Sequence, residues 1–492
     1  MIANIGDRLV VEVSDVGRDG RGIGRAEGLT VFADGLIPGD KALVTVTKMK
    51  KNMAFAAAGE ILEPSPFRVS PECGLAGACG GCPLMAMEYS AQAKMKEGHV
   101  RAALSRIGGI SDPKVRPIVS MGAQWGYRNK AVYAAAGDKV GFYGERSHAL
   151  ADVPYCPIQT SAANALAGAL RSFGPAAAGV NALTVRSAFG TGEVMAVLGL
   201  DRRPGQWLEG LIMALDDAVG ALPAFGEDGR CWSLESVAGV FPGKQDGAKM
   251  RQKCEIIAGK GTITELAAER RMYFEISPQS FFQVNPEGAR ALESILLEYA
   301  GLSGGEAVVD LYCGVGVWGL VCAPYAKEVI GIEIEKQAVA DANRNAVINR
   351  IVNARYICGK AEAELPAMLG KAGAGLPTRA AKAEAELPAM LGRTGAGLPT
   401  RAAKAKAGSP RLAADVAIID PPRAGCAAGL LEAAAAIAPA RIVYISCDPA
   451  TLARDVRMLE GLGYRFVEAS PVDMFPHTVH VEAVALMERA GH

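Results

Sequence analysis

The sequence predicts an α/β protein. A Rossmann-like, doubly wound parallel sheet occupies the C-terminal part, an OB-like β-barrel the N-terminus, and a mixed α+β region lies between them. Three observations carry this. From Gly304 onward, short β-rich runs at 308–312, 329–333, 416–420 and 442–446 alternate with helix-like stretches, the rhythm of βαβ units. The first 62 residues contain short apolar runs broken by glycine, which predict five strands and a small closed barrel. The length of 492 residues suggests three domains at ~150 residues each.

Taken in order, residues 1–62 form the barrel, with runs at 9–13 and 42–46 around the glycine-rich stretch 17–24 and the turn 37–40. Pro64, Pro66 and Pro71 forbid regular structure in the stretch that follows, so it reads as a linker. The central domain is assigned to 63–270 and the doubly wound domain to 271–492. One segment breaks the C-terminal rhythm. Residues 360–381 are repeated at 382–403 with two differences, Lys371/Arg393 and Ala372/Thr394. Two near-identical copies do not make a solenoid, which needs three or more diverged units. Residues 360–411 are therefore read as a duplicated, mobile surface connection without function.

The chain has equal numbers of Lys+Arg and Asp+Glu, 52 each. That balance excludes a generic polycation but leaves room for local basic surfaces. The 360–411 segment carries a net +5, so the remainder carries −5, and any nucleic-acid affinity must come from local patches. No run reaches the ~18 uncharged apolar residues of a membrane span. Asp7 and Arg8 come too early for a secretory signal. A cytoplasmic chain without membrane association is expected, and no obligate protein partner is evident. In such a compartment the eleven cysteines should be thiols, ligands or nucleophiles rather than disulfides.

Their placement is informative. Cys73, Cys79 and Cys82 make C-x5-C-x2-C on a glycine-rich loop that can curl around a soft centre. Cys156, fixed between Pro154 and Pro157, is the best fourth ligand. An iron–sulfur cluster and a structural zinc both accept four cysteines, and ordinary buried cysteines or a CxxC redox pair are the bland alternatives. The uneven spacing favours the cluster. Cys231, Cys254, Cys313, Cys322, Cys358 and Cys426 read as buried thiols.

The run 307–319 is a strand entering a glycine-rich turn, with Asp310 at the strand end and Gly314, Gly316 and Gly319 following. Glu333 ends the next strand, where a carboxylate accepts ribose hydroxyls. S-adenosylmethionine fits this single βαβ unit as well as a dinucleotide does. Asp420-Pro-Pro-Arg423 places a carboxylate at the sheet's carboxyl edge, and Cys447, ahead of Asp448 and Pro449, projects from the next strand tip as a nucleophile would.

Together these motifs, with 281–285 (FFQVN) and 473–482 (DMFPHTVHVE), closely resemble RNA 5-methyluridine methyltransferases that carry a TRAM domain and an iron–sulfur cluster. The 23S ribosomal RNA enzymes are the nearest match. The resemblance covers nearly the whole chain apart from 360–411. It implies Cys447 as nucleophile and Glu482 as general base. It implies Gln283, Tyr312, Glu333 and Asp420 as residues that hold S-adenosyl-L-methionine, and Cys73, Cys79, Cys82 and Cys156 as ligands of a [4Fe-4S] cluster. Residues 1–62 would be the TRAM domain, and ribosomal RNA the partner, with a transfer-RNA uridine as the alternative.

The chemistry requires such residues. Uracil C5 is a weak nucleophile until a thiolate adds to C6, and the adduct must then lose its C5 proton to a base. The target uridine has to be flipped out of its stack. Burial among Met474, Phe475 and Val481 is expected to raise the Glu482 pKa.

Three positions depart from the family: Asp448 replaces the usual Asn, Val317 stands where many relatives have Asn, and His477 replaces the usual Gln. Further candidates are Arg18, Arg21, Arg25, Lys48, Lys50 and Lys51 on the barrel, with Phe32 and Phe55 as stacking aromatics. Arg423 would touch phosphate or cap its turn, His480 would orient Glu482 or be a plain strand histidine, and 125–130 forms a cationic, aromatic stretch. Two other classes are disfavoured. A radical methylthiotransferase needs C-x3-C-x2-C, and a dead RNA-binding relative would not retain both Cys447 and Glu482.

Overall fold

The structure, a computed structural model, describes residues 3–203, 205–226, 228–246, 249–267, 271–370 and 414–491. Strands Arg8–Val16, Gly22–Ala26, Leu29–Ala33, Lys41–Lys50 and Met53–Glu63 close into a five-stranded barrel. In the first strand the buried positions alternate, with Leu9, Val11 and Val13 inward, as expected when one sheet face lines a core. Asp40, completely buried, ties the barrel to the proline-rich stretch. Its carboxylate accepts from the N–H groups of Ile37 (2.8 Å) and Ser65 (2.9 Å) and from the Arg68 guanidinium. Burial would raise its pKa, yet the Arg68 and backbone bonds hold it below the usual carboxylate range. The stretch after the barrel has no regular element, as the prolines require, but it is stitched down rather than free.

The central region is built on a second, seven-stranded mixed sheet running from Lys249–Gly259 to Leu150–Asp152. Helices Ser161–Phe173 and Trp207–Gly220 cover it through Leu166, Leu170, Leu211 and Leu215. Helix Tyr89–Arg106 packs elsewhere. Its Val100 and Leu104 enter the core of the C-terminal sheet, and residues 115 and 119 bridge to Ala469 and Val472 at that sheet's edge.

The C-terminal sheet is ordered Ala354–Cys358, Glu328–Glu333, Ala307–Leu311, Val416–Ile419, Arg441–Ser446, Glu482–Arg489, Tyr464–Val472. The first five strands are parallel, and Glu482–Arg489 runs antiparallel between its neighbours. Val309, Ile330, Ile418 and Val443 are buried, the near-continuous apolar pattern of strands covered on both faces. Strand order reverses between Ala307–Leu311 and Val416–Ile419, which makes the carboxyl end of that pair a natural ligand crevice. Within the duplicated segment, Ala361–Gly370 is a helix; residues 371–411 lie outside the described residues, and the expectation of mobility with them. Among the described residues no helix is long and apolar enough to cross a membrane.

Replacing Asp40 with Ala should destabilise the barrel by about 2–3 kcal/mol, because two buried N–H donors and Arg68 lose their acceptor. Denaturant titration of wild type and variant measures this, and an unchanged midpoint would show that the Asp40 bonds do not hold the barrel to residues 64–68.

Candidate active site

The sequence-predicted residues converge on the carboxyl edge of the C-terminal sheet. Tyr312 follows Ala307–Leu311, Glu333 closes the second strand, Asp420 follows Val416–Ile419, and Cys447 follows Arg441–Ser446. Glu482 reaches the same edge because its strand runs the other way. Ser446 pairs with Ala483, so Cys447 and Glu482 lie at neighbouring strand ends.

Tyr312 adopts the left-handed region at φ 62°, and Gly316, at φ 85°, sits where an added Cβ would lie 2.8 Å from the Tyr356 ring. Only glycine fits there. Tyr312, Asp420 and the half-buried Val317 line a small cavity of about 30 Å³ with Gln283, Gly314 and Trp318. Tyr312 and Glu333 also line an adjacent cavity of about 420 Å³ with residues 359–363. Glu333 accepts from the N–H groups of Gly314 (3.1 Å) and Glu335 (2.9 Å).

Several carboxyls here are buried and hard to ionise. Burial pushes Asp310 up to about 8, partly offset by the N–H of Gly319 at 2.9 Å. Its Oδ1 is left without a hydrogen-bond partner among the described residues, the kind of orphan that a bound ligand satisfies. Asp420 is raised to about 6 by burial against the bond from Trp318 Nε1 (2.7 Å). Glu482 is raised to about 8, first by burial and then by the Asp420 charge, with Arg423 opposing. Burial and then Glu482 raise the Cys447 thiol to about 11, again against Arg423. Of the neighbours expected to desolvate Glu482, Met474 and Val481 are fully or nearly fully buried and Phe475 is half-buried.

Arg423 Nη2 lies 3.5 Å from His480 Nε2, so Arg423 faces His480 rather than capping its own turn. His480 approaches Arg423 and the Phe475 ring, and no bond joins it to Glu482. Asp448 caps helix Pro449–Gly461 through the N–H groups of Ala450 (2.9 Å) and Thr451 (3.0 Å), and Arg18 of the barrel reaches the same oxygen at 2.7 Å. Phe32 and Phe55 stack on each other at 5.3 Å, with Arg21 and Lys50 over Phe55. Trp125 stacks on His477 at 4.2 Å. Trp318 escaped the sequence reading because its bond to Asp420 crosses 102 residues.

Cys73, Cys79, Cys82 and Cys156 line one cavity of about 410 Å³. Burial, and then the charges of the other cysteines, raise Cys82 to about 12; burial raises Cys156 to about 11, with Cys79 and Cys73 adding to it. Such mutual repulsion suits thiolates gathered to bind a cationic centre. Among the described residues no group of three or more His, Cys, Asp or Glu is placed so as to hold a metal ion. Of the six cysteines read as buried, Cys313, Cys322 and Cys426 are buried and Cys254 is half-buried. Cys231 and Cys358 are exposed, because one lies in the loop before a strand and the other ends an edge strand.

Residues 247–372 and 410–490 match the family described as tRNA (Uracil-5-)-methyltransferase, and residues 3–58 match the TRAM domain. A protein named "uncharacterized RNA methyltransferase" from Caldanaerobacter subterraneus subsp. tengcongensis is 36% identical, covering 99% of both chains. The chain belongs to the RNA uracil-5-methyltransferase family. A second such relative, from Geobacter sulfurreducens, is 33% identical over 98% of this chain and 90% of its own. The solved structure of Pyrococcus abyssi tRNA (uracil-54, C5)-methyltransferase with S-adenosyl-L-homocysteine shares the fold. Its TM-score is 0.67 at 24% identity, covering 97% of this chain and 100% of that one. As a family member the chain is an S-adenosylmethionine-dependent RNA methyltransferase, and its five-stranded barrel is the TRAM domain.

The buried carboxyls of this methyltransferase make its stability pH-dependent. Asp310 has a folded pKa of about 8 against 3.8 for the ordinary group. It binds its proton more tightly when folded, so its stabilising share is complete below the unfolded value and is lost as pH rises through the folded value. The ligand-free melting temperature should therefore fall between about pH 5 and pH 8. Asp310→Asn, which keeps an acceptor for Gly319 N–H, should flatten that decline; calorimetric scans at both pH values check it.

Proposed function

We propose that this chain methylates C5 of a uridine in ribosomal RNA, with Cys447 adding to C6 and Glu482 removing the C5 proton. The single observation that carries the reading is the entry of a thiol and a buried carboxyl onto one sheet edge from adjacent strands of opposite direction. Addition of the Cys447 thiolate to C6 pushes the C5–C6 π electrons towards C5, which becomes nucleophilic. When bound, S-adenosylmethionine supplies an electrophilic methyl group. Glu482 then takes the C5 proton, the electron pair restores C5=C6, and the Cys447–C6 bond breaks to release the thiolate.

Gln283, Tyr312, Glu333 and Asp420 are proposed to hold the methyl donor. The partnerless Asp310 oxygen and the glycine turn support a ligand in that crevice. Cys73, Cys79, Cys82 and Cys156 are proposed to hold a [4Fe-4S] cluster, whose thiolate ligands would be relieved of their mutual repulsion. Domain limits of 1–62, 63–270 and 271–492 and a cytoplasmic setting complete the reading. A transfer-RNA uridine is the second reading, favoured by the description of the matched family. Mapping 5-methyluridine in ribosomal and transfer RNA from a deletion strain separates the two.

Cys447→Ala should abolish methyl transfer and leave S-adenosylhomocysteine affinity unchanged by calorimetry; residual turnover would sink the nucleophile assignment. The base works only as a carboxylate, so single-turnover rates should climb as pH approaches about 8. Glu482→Gln should accumulate covalent RNA adduct on denaturing gels. The same variant removes the charge that raises Cys447, so iodoacetamide should label the Cys447 peptide at lower pH than in wild type. An unshifted labelling profile would count against the pairing.

A further inference from the structure

Residues 473–481 cross from the end of strand Tyr464–Val472 to Glu482, the first residue of its antiparallel neighbour. This crossing is held at successive carbonyls from separate parts of the chain. Asn285 Nδ2 donates to Met474 O (3.1 Å), Lys96 Nζ to Phe475 O (3.0 Å), the Tyr127 hydroxyl to Pro476 O (3.1 Å), and Leu84 N–H to His477 O (3.0 Å).

Two of the residues that hold it stand one turn apart on helix Tyr89–Arg106, and both are completely buried. Lys96 also makes a 2.6 Å ion pair with Asp473, itself completely buried. Gln92 Oε1 accepts from His477 N–H at 2.9 Å, and its Nε2 lies 3.3 Å from His477 Nδ1. The same Nε2 donates to Leu84 O (3.1 Å) and Met87 O (2.7 Å), in the loop that follows Cys82. His477 takes a left-handed φ of 68°, and its ring stacks on Trp125.

An ammonium taken fully out of water is costly even when paired. Apolar residues on this helix face would close the core without that cost. The pattern is instead one of positioning: every polar contact of Lys96 and two of those of Gln92 end on 473–477, five to nine residues before Glu482.

We infer that Gln92 and Lys96 are positioning residues that set the loop delivering Glu482 to the reaction and tie that loop to the cysteine loop. Both are completely buried and act through the loop. The inference rests on the proposed roles of Cys447 and Glu482. It distinguishes two halves of the reaction: Cys447 follows another strand, Arg441–Ser446, so adduct formation does not depend on this clamp, whereas proton removal by Glu482 does.

The test uses the full-length protein with unmodified RNA substrate. Lys96→Met should lower kcat about tenfold or more while S-adenosylhomocysteine affinity stays within about twofold. Covalent adduct at steady state should rise several-fold, as in Glu482→Gln. Lys96→Gln, which keeps a donor towards Phe475 O, should recover part of kcat. Gln92→Leu carries the same test should Lys96→Met not fold. It should also shift the Trp125 emission, isolated by subtracting a Trp125→Phe background, because His477 loses two contacts. Adduct and product falling in parallel in both variants, with Trp125 emission unmoved, would overturn the positioning role and leave a purely structural one. Methyl transfer surviving in Cys447→Ala would instead overturn the underlying reading, so the two failures are distinct.

Discussion

One antiparallel strand determines which side chains meet at the carboxyl edge of the C-terminal sheet. Five parallel strands deliver their carboxyl ends to a single edge, and any residue at the start of a sixth parallel strand would lie at the far edge. Glu482–Arg489 is reversed, so its first residue meets the tips of the others, one pair away from Ser446. Cys447 and Glu482 become neighbours for that reason alone. Displacing the ladder by one residue would turn Glu482 to the other face of the sheet. The loop 473–481 and the helix that grips it can be understood as what keeps that register and entry angle.

The same edge collects carboxyl groups that a stable fold would rather avoid. Asp310 and Glu482 are buried and Asp420 is half-buried, and each is pushed above its usual range chiefly by loss of water. Trp318, the Gly319 N–H and Arg423 soften this without cancelling it. A site left so short of positive charge is prepared for a cationic ligand with hydroxyls to donate. The destabilisation is confined to strand ends, where the core behind is continuous and apolar, so the sheet bears it. At the cysteine cavity the pattern repeats with thiols: groups whose charged forms would repel one another are held together by the loop around them and by Cys156 arriving from the segment after strand Leu150–Asp152.

Much of this was legible along the chain. The glycine turn after Asp310, the Asp420 and Cys447 strand tips and the C-x5-C-x2-C run are local signals, each written within about ten residues because strands, turns and their exit residues are local structures. Other features were not. Trp318 bonds Asp420, Arg18 bonds Asp448, and Lys96 pairs with Asp473 across 102, 430 and 377 residues. No periodicity announces such partners. Lys96 sits on a helix whose polar residues look solvated, and Cys231 and Cys358 look like core thiols until the edges of the sheets are known.

The sequence by itself determined the element types, the exit residues at the strand ends and the chemical identities available there, since these follow from backbone sterics and side-chain chemistry over short spans. Only the tertiary structure decided which of them share an environment. It turned the last strand but one in the sheet to face Glu482 towards Cys447, drew three carboxyls away from water, and placed helix Tyr89–Arg106 against loop 473–481 rather than in the central sheet. Burial and long-range pairing arise from packing between segments distant in the chain, and a free energy that depends on neighbours cannot be read before the neighbours are known.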